Sequence, residues 1–112
     1  MFSKFLPIIF FKKRGKMAMK ENTYQSRLKR KISMILPTAI IIKTDDLQGF
    51  PDLIILNNYK WAALEIKRSR SASHRPNQNY WVDRLDEMSF AAFIYPENEE
   101  AVLRDLERAL TT

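Results

Sequence analysis

Residues 49–67 read Gly49-Phe50-Pro51-Asp52-Leu53-Ile54-Ile55-Leu56-Asn57-Asn58-Tyr59-Lys60-Trp61-Ala62-Ala63-Leu64-Glu65-Ile66-Lys67. Two apolar runs, 52–56 and 61–67, flank a polar segment whose Asn-Asn pair suits the positive φ of a tight turn. This pattern predicts a β-hairpin. With the turn centred between Asn58 and Tyr59, Asp52 falls directly opposite Glu65, their Cβ atoms roughly 4.5–5.5 Å apart. Lys67 lies two positions beyond Glu65 and shares its face. A slip of one residue would send these side chains to opposite faces, so the chemistry of the segment hangs on its register.

Outward from the hairpin, the chain alternates helical and extended patterns. Tyr24, Leu28, Ile32 and Ile35 recur at helical spacing within Lys20–Leu36, and Pro37 stops the pattern. Thr38–Lys43 (TAIIIK) is β-branched and apolar and predicts a buried strand. The polar segment Arg68–Asn77 predicts a loop, with Pro76 in the first turn of a helix that runs to Met88 on a spine of Trp81, Leu85 and Met88. Ser89–Tyr95 predicts a fourth strand. Glu97–Leu110 predicts a final helix with Val102, Leu103, Leu106 and Leu110 inward. The order αβββαβα predicts an α/β (α+β) domain, a mixed sheet flanked by helices.

Composition narrows the chemistry. With no Cys and one His, the 112-residue chain has neither a disulfide framework nor the donors of a thiolate or His-rich zinc site. A reducing, cytoplasmic setting is the corresponding expectation. Two Gly are too few for a Gly-rich phosphate loop, and no apolar stretch reaches the length of a membrane span. The formal charge of +6 is uneven: residues 1–31 hold ten Lys or Arg and one acid, whereas 97–112 hold two basic and five acidic residues. A basic front is a surface for a polyanion, either nucleic acid or an anionic membrane. On the first helix Arg27, Lys29, Arg30 and Lys31 are the candidate phosphate contacts.

Residues 1–18 differ in character from the rest of the chain. Phe5–Phe11 is a short apolar run broken by Pro7 and followed by Lys12, Lys13 and Arg14. It lacks the layout of a secretory signal. The segment reads either as a tail or upstream extension, with the domain occupying 19–112, or as a weak interfacial membrane anchor.

Two facing carboxylates on buried strands repel and are costly to desolvate. A hard divalent cation would compensate both charges, and Mg²⁺ accepts one or two carboxylates while keeping waters. Such a cation eases deprotonation of a bound water and neutralises charge on a phosphodiester. Lys67 would orient the attacking water, take its proton or stabilise the transition state. The plainer alternative makes Asp52 a loop-end acid and Glu65–Lys67 a solvent-facing pair on an edge strand.

Gly49-Phe50-Pro51-Asp52 followed by Glu65-Ile66-Lys67 resembles the PD-(D/E)XK nuclease superfamily. Glu21 on the first helix and Gln78-Asn79-Tyr80-Trp81 at the start of the second make the resemblance narrower, to the VRR-NUC family and its small stand-alone phage members, over residues 19–110. The resemblance implies a restriction-endonuclease-like core and Mg²⁺- or Mn²⁺-dependent cleavage of DNA. It implies Asp52, Glu65, the Ile66 carbonyl and Glu21 as metal ligands, Lys67 as the catalytic lysine, and Gln78 as a polar support. It further implies a homodimer that resolves branched DNA such as four-way junctions, in a bacterial or phage-infected cell, without a small-molecule cofactor. Arg68, Arg70 and Arg75 follow the catalytic strand and are placed to grip the backbone near the cut. Each residue also has a simpler reading: Glu21 as a charge favoured by the helix dipole, Gln25 as a surface residue, Gln78 as a cap, His74 as an exposed loop residue, and Trp61 and Trp81 as core or dimer contacts in preference to base-stacking platforms. The rival function is a catalytically silent nuclease-fold module that binds nucleic acid or protein.

Overall fold

The computed structural model describes residues 8–9, 19–44 and 49–112, with side chains from Thr23 onward. Its element order is β1 (Ile8–Ile9), α1 (Met19–Ile35), β2 (Ile40–Lys43), β3 (Leu53–Asn57), β4 (Lys60–Ile66), α2 (Gln78–Met88), β5 (Phe90–Ile94) and α3 (Glu99–Thr111). The strands form one mixed sheet in the order β1-β2-β3-β4-β5. The outer pairs β1–β2 and β4–β5 are parallel, and the inner pairs β2–β3 and β3–β4 are antiparallel. The expected αβββαβα order is present, preceded by the two-residue edge strand β1. That strand falls within the front segment, where the sequence pattern predicts none; the rest of residues 1–18 lies outside the described residues.

Side-chain alternation divides the sheet into two faces. Leu53 and Ile55 of β3, Ala62, Leu64 and Ile66 of β4, and Ile94 of β5 join one core with Tyr24, Leu28, Ile32 and Leu36 of α1 and Val102, Leu106 and Leu110 of α3. Burying each large aliphatic side chain here contributes roughly 1.5–3 kcal/mol. Ala63 and Ala91 face the other way, against Val82 and Leu85 of α2, with Ile54, Trp61, Trp81 and Phe93 packed around them. The result is a sheet between two helical layers.

Helix α2 packs against β4 and β5. On its side of the sheet the directly paired Ile40 and Leu56 stay open, 41% and 36% exposed. Met88, expected on the spine of α2, is 61% exposed, and Gln78 and Val82 are buried with Leu85 in its place. The inward stripe is therefore displaced toward Gln78, Val82 and Leu85. Pro76 also falls outside α2: the helix begins at Gln78, after Asn77 in a left-handed conformation with φ 75°.

The hairpin is closed by the predicted two-residue turn. Asn57 pairs with Lys60, and Asn58 takes φ 60°. Asn57 itself is buried. Its Nδ2 donates to the Leu110 carbonyl (2.9 Å), and its Oδ1 accepts from Thr38 Oγ1 (3.1 Å). One amide thus ties the hairpin to the end of α3 and to the segment leading into β2. Asn57→Ala orphans the Leu110 carbonyl in a dry environment, so denaturant unfolding should show a loss of about 1–3 kcal/mol with an unchanged m-value.

Candidate functional site

The last pair of the β3–β4 ladder is Leu53 with Leu64. That register, extended by one residue, sets Asp52 opposite Glu65, as the hairpin pattern requires. Beyond Leu53 the Asp52 side chain continues the connection across the strands: its Oδ2 accepts a hydrogen bond from the Ile66 backbone N–H at 2.9 Å. Thr44 secures the preceding backbone, its N–H donating to the Asp52 carbonyl (2.8 Å) and its hydroxyl to the Pro51 carbonyl. Asp52 is half-buried, and Glu65 is only 3% exposed.

Glu65 is held by one oxygen. Its Oε2 accepts from Gln78 Nε2 at 2.7 Å and lies 3.9 Å from Lys67 Nζ, whereas its Oε1 is buried with no hydrogen-bond partner. Burial first, and the neighbouring Asp52 second, push the Glu65 carboxyl up to about 8; Lys67 pulls in the opposite direction. A carboxyl left protonated near neutral pH, with an unsatisfied oxygen beside a second acid, marks a place short of positive charge.

Gln78 organises the polar cluster. Its Oε1 accepts from Lys67 Nζ (2.7 Å) and from the Arg75 backbone N–H (2.8 Å). Both partners can only donate, so the amide orientation is forced and Nε2 must face Glu65. Lys67 Nζ also donates to the Ser73 carbonyl at 3.0 Å, while its backbone N–H donates to Ile94. Strand β4 delivers Glu65, the loop after it wraps back to hold Lys67, and the first residue of α2 bridges the two.

The loop before β3 is fixed against that bridge. Gly49 has φ 83°, and a Cβ placed there would lie 2.7 Å from Asn77 Cβ and 2.9 Å from the Pro76 carbonyl. Only glycine permits this approach, which seats Phe50-Pro51-Asp52 beside the start of α2.

The structure brings together four of the expected residues: Asp52, Glu65, Lys67 and Gln78, with the Ile66 peptide between Glu65 and Lys67. Glu21 lies in α1, and its side chain is outside the described residues. Gln25, one turn later, is buried and not a surface residue. Among the described residues no three His, Cys, Asp or Glu side chains gather as a metal cage, so Asp52 and Glu65 stand as a pair. Two carboxylates are enough for Mg²⁺, which fills its remaining positions with water. The unpartnered Glu65 Oε1 fits that donor set.

The expected phosphate contacts separate into two groups. Arg27, Arg30, Arg68, Arg70 and Arg75 are exposed. Lys29 is buried at 5% exposure and makes contacts of its own, so it is not part of the outward basic surface. Lys31 is hydrogen-bonded to Glu99 of α3. His74 is exposed as expected, its ring stacked on Phe93 at 4.2 Å and its Nδ1 paired with Asn79. Sequence reasoning missed Ser73 and the Arg75 amide, because both act through backbone atoms that carry no residue-type signal.

No protein-family model, no curated protein and no solved structure matches this chain. No helix among the described residues is long and apolar enough to cross a membrane.

The raised Glu65 carboxyl has a sign that denaturation can read. Unfolded, it releases its proton near 4.5; folded, it keeps it to about 8. Over that interval the unfolded chain holds fewer protons, so metal-free stability should fall as pH rises from 4.5 through about 8. Glu65→Gln should flatten this decline in urea melts recorded in EDTA; an unchanged slope would assign the pH dependence elsewhere.

Proposed function

We propose that this chain is a divalent-metal-dependent DNA endonuclease of the PD-(D/E)XK type, similar to the small VRR-NUC enzymes, acting on branched DNA as a homodimer. The observation that carries the reading is the position of Asp52 across from Glu65, one residue past the last pair of the β3–β4 ladder, with one buried Glu65 oxygen unpartnered and Lys67 3.9 Å away. Asp52, Glu65 and the Ile66 carbonyl would hold Mg²⁺ or Mn²⁺. When bound, the cation supplies charge neutralisation at the phosphodiester and a lowered pKa for the attacking water.

The protein groups have separable tasks. Asp52 is pinned by the Ile66 N–H, which fixes its carboxylate at the rim of the sheet across from Glu65. Glu65 is fixed by Gln78 in the same way. Lys67, steered by Gln78 and the Ser73 carbonyl, places an ammonium beside the pair, where it opposes negative charge gathering on a phosphate. Pre-set donors of this kind need no rearrangement as charge develops. The exposed arginines at 68, 70 and 75 follow directly from the catalytic strand and suit the flanking phosphates. The complete Asp52, Glu65 and Lys67 set favours an enzyme over a silent binding module, whose usual mark is a missing ligand.

The decisive test is a cleavage panel of four-way junction, flap, single-stranded and linear duplex DNA with Mg²⁺ or EDTA. Asp52→Asn keeps an acceptor for the Ile66 N–H but removes the charge; it and Lys67→Ala should each lower kcat at least about 100-fold while circular dichroism stays native. Wild-type rates in either variant would refute the assignment. In EDTA, log affinity for DNA should fall against log salt with a slope of about −2.7 to −4.5, the value for three to five phosphate contacts. A salt-insensitive complex would remove the arginines from the interface.

A further inference from the structure

Lys67 is steered by two acceptors, and one residue stands between the backbone groups that set both. The Ser73 carbonyl, which accepts from Lys67 Nζ at 3.0 Å, belongs to the peptide that enters His74. The Arg75 N–H, which donates to Gln78 Oε1 at 2.8 Å, belongs to the peptide that leaves it. Gln78 Oε1 is the second acceptor of Lys67, at 2.7 Å. Each peptide is a rigid plane, so holding His74 in place restricts how far either group can swing.

The His74 side chain does the holding. Its ring is stacked on Phe93, with centroids 4.2 Å apart and planes 19° apart, and its Nδ1 is paired with Asn79 Oδ1 at 2.7 Å. Both anchors belong to the walls of the site. Phe93 is the direct neighbour of Glu65 in the β4–β5 ladder, and Asn79 follows Gln78 in the first turn of α2. Farther back in the loop, Arg70 donates its N–H to Glu97 and lays its guanidinium over Tyr95, 5.9 Å from the ring centroid. Residues 73–77 are all exposed, so no buried apolar side chain ties down the stretch that reaches Lys67. The stack on Phe93 and the bond to Asn79 take over that task at its centre.

We propose that His74 is a positioning residue: seated on Phe93 and Asn79, it locks the two peptides that hold Lys67 and Gln78 in place. Its effect on cleavage rests on the nuclease reading; its effect on the Lys67 ammonium does not.

NMR of the full chain with isotope-labelled lysine, in EDTA at neutral pH, reads the ammonium directly. An ammonium held by hydrogen bonds exchanges its hydrogens slowly enough to be seen, and the Lys67 signal is identified by its loss in Lys67→Arg. His74→Ala should speed that exchange about 3- to 10-fold, the strength of one ring contact, with native circular dichroism. His74→Phe, which keeps a ring on Phe93, should bring the rate back to within about 2-fold of wild type. With Mg²⁺ and DNA, the loosened ammonium should lower kcat of His74→Ala at least about 3-fold, leave KM within about 2-fold, and recover in His74→Phe. A Lys67 signal absent from the wild-type protein, an exchange rate indifferent to His74→Ala, or one that His74→Phe does not restore would overturn the positioning role. So would an unaltered kcat, or a loss confined to KM, in a His74→Ala chain that exchanges faster. Exchange that responds as expected in a protein that cuts no DNA would reject the nuclease reading and leave the positioning standing. Cleavage by the wild-type chain with exchange indifferent to His74→Ala would reject the positioning alone.

Discussion

Two carboxylates brought together in a largely dry corner repel, and the polar architecture on the α2 side of the sheet is arranged around that repulsion. Asp52 gives one oxygen to the Ile66 amide, Glu65 gives one to Gln78, and Lys67 stands 3.9 Å from the second acid. These contacts lessen the cost without removing it, since Glu65 still favours its protonated form near neutral pH and keeps one oxygen bare. A purely structural ion pair would be expected to satisfy its buried oxygens, because each one left orphaned costs about 1–3 kcal/mol. Retaining the deficit suits a site whose charge balance is completed from outside the chain.

The same corner shows how a small domain gains rigidity for chemistry. Gln78 joins β4, the loop after it and α2 through three hydrogen bonds from one amide. Gly49 brings the loop before β3 onto the turn before α2. At the opposite end of the hairpin, Asn57 does the corresponding work for α3 and the segment entering β2. Strands β3 and β4 are therefore clamped at both ends by side-chain amides, and the acids sit where regular pairing stops. That location lets the Asp52 side chain take over a hydrogen bond where the backbone ladder ends.

The hairpin and its register were legible because two signals agreed. A two-residue turn admits one register, and the two apolar runs 52–56 and 61–67 flank that turn symmetrically. Helices α1 and α3 were legible from their stripes, whose inward residues lie in one core. The α2 stripe was misjudged because Gln78, a polar residue, occupies an inward position and shifts the face, leaving Met88 outside. Strand β1 offered no period to read, being two residues long. The basic helix face was overcounted for a related reason: charge says nothing of direction, and Lys29 points inward while Lys31 is engaged with Glu99. Gln78 itself was placed at the site from the motif, but its forced orientation follows from the Arg75 amide and the Lys67 ammonium, which only coordinates supply.

Charge and aromatic surface together constrain what approaches the site. The outward cations include Arg27 and Arg30 on α1 and Arg68, Arg70 and Arg75 on the loop after β4, and the exposed ring of Tyr80 follows that loop on α2. Arginines on phosphates supply attraction without sequence preference, so exposed arginines would favour a polyanion without choosing among its forms. Discrimination by base sequence would need side chains reaching base edges in a groove, whereas Arg68, Arg70 and Arg75 lie on the irregular loop between β4 and α2. Phosphate contacts fix where a strand lies and leave the order of its bases unread.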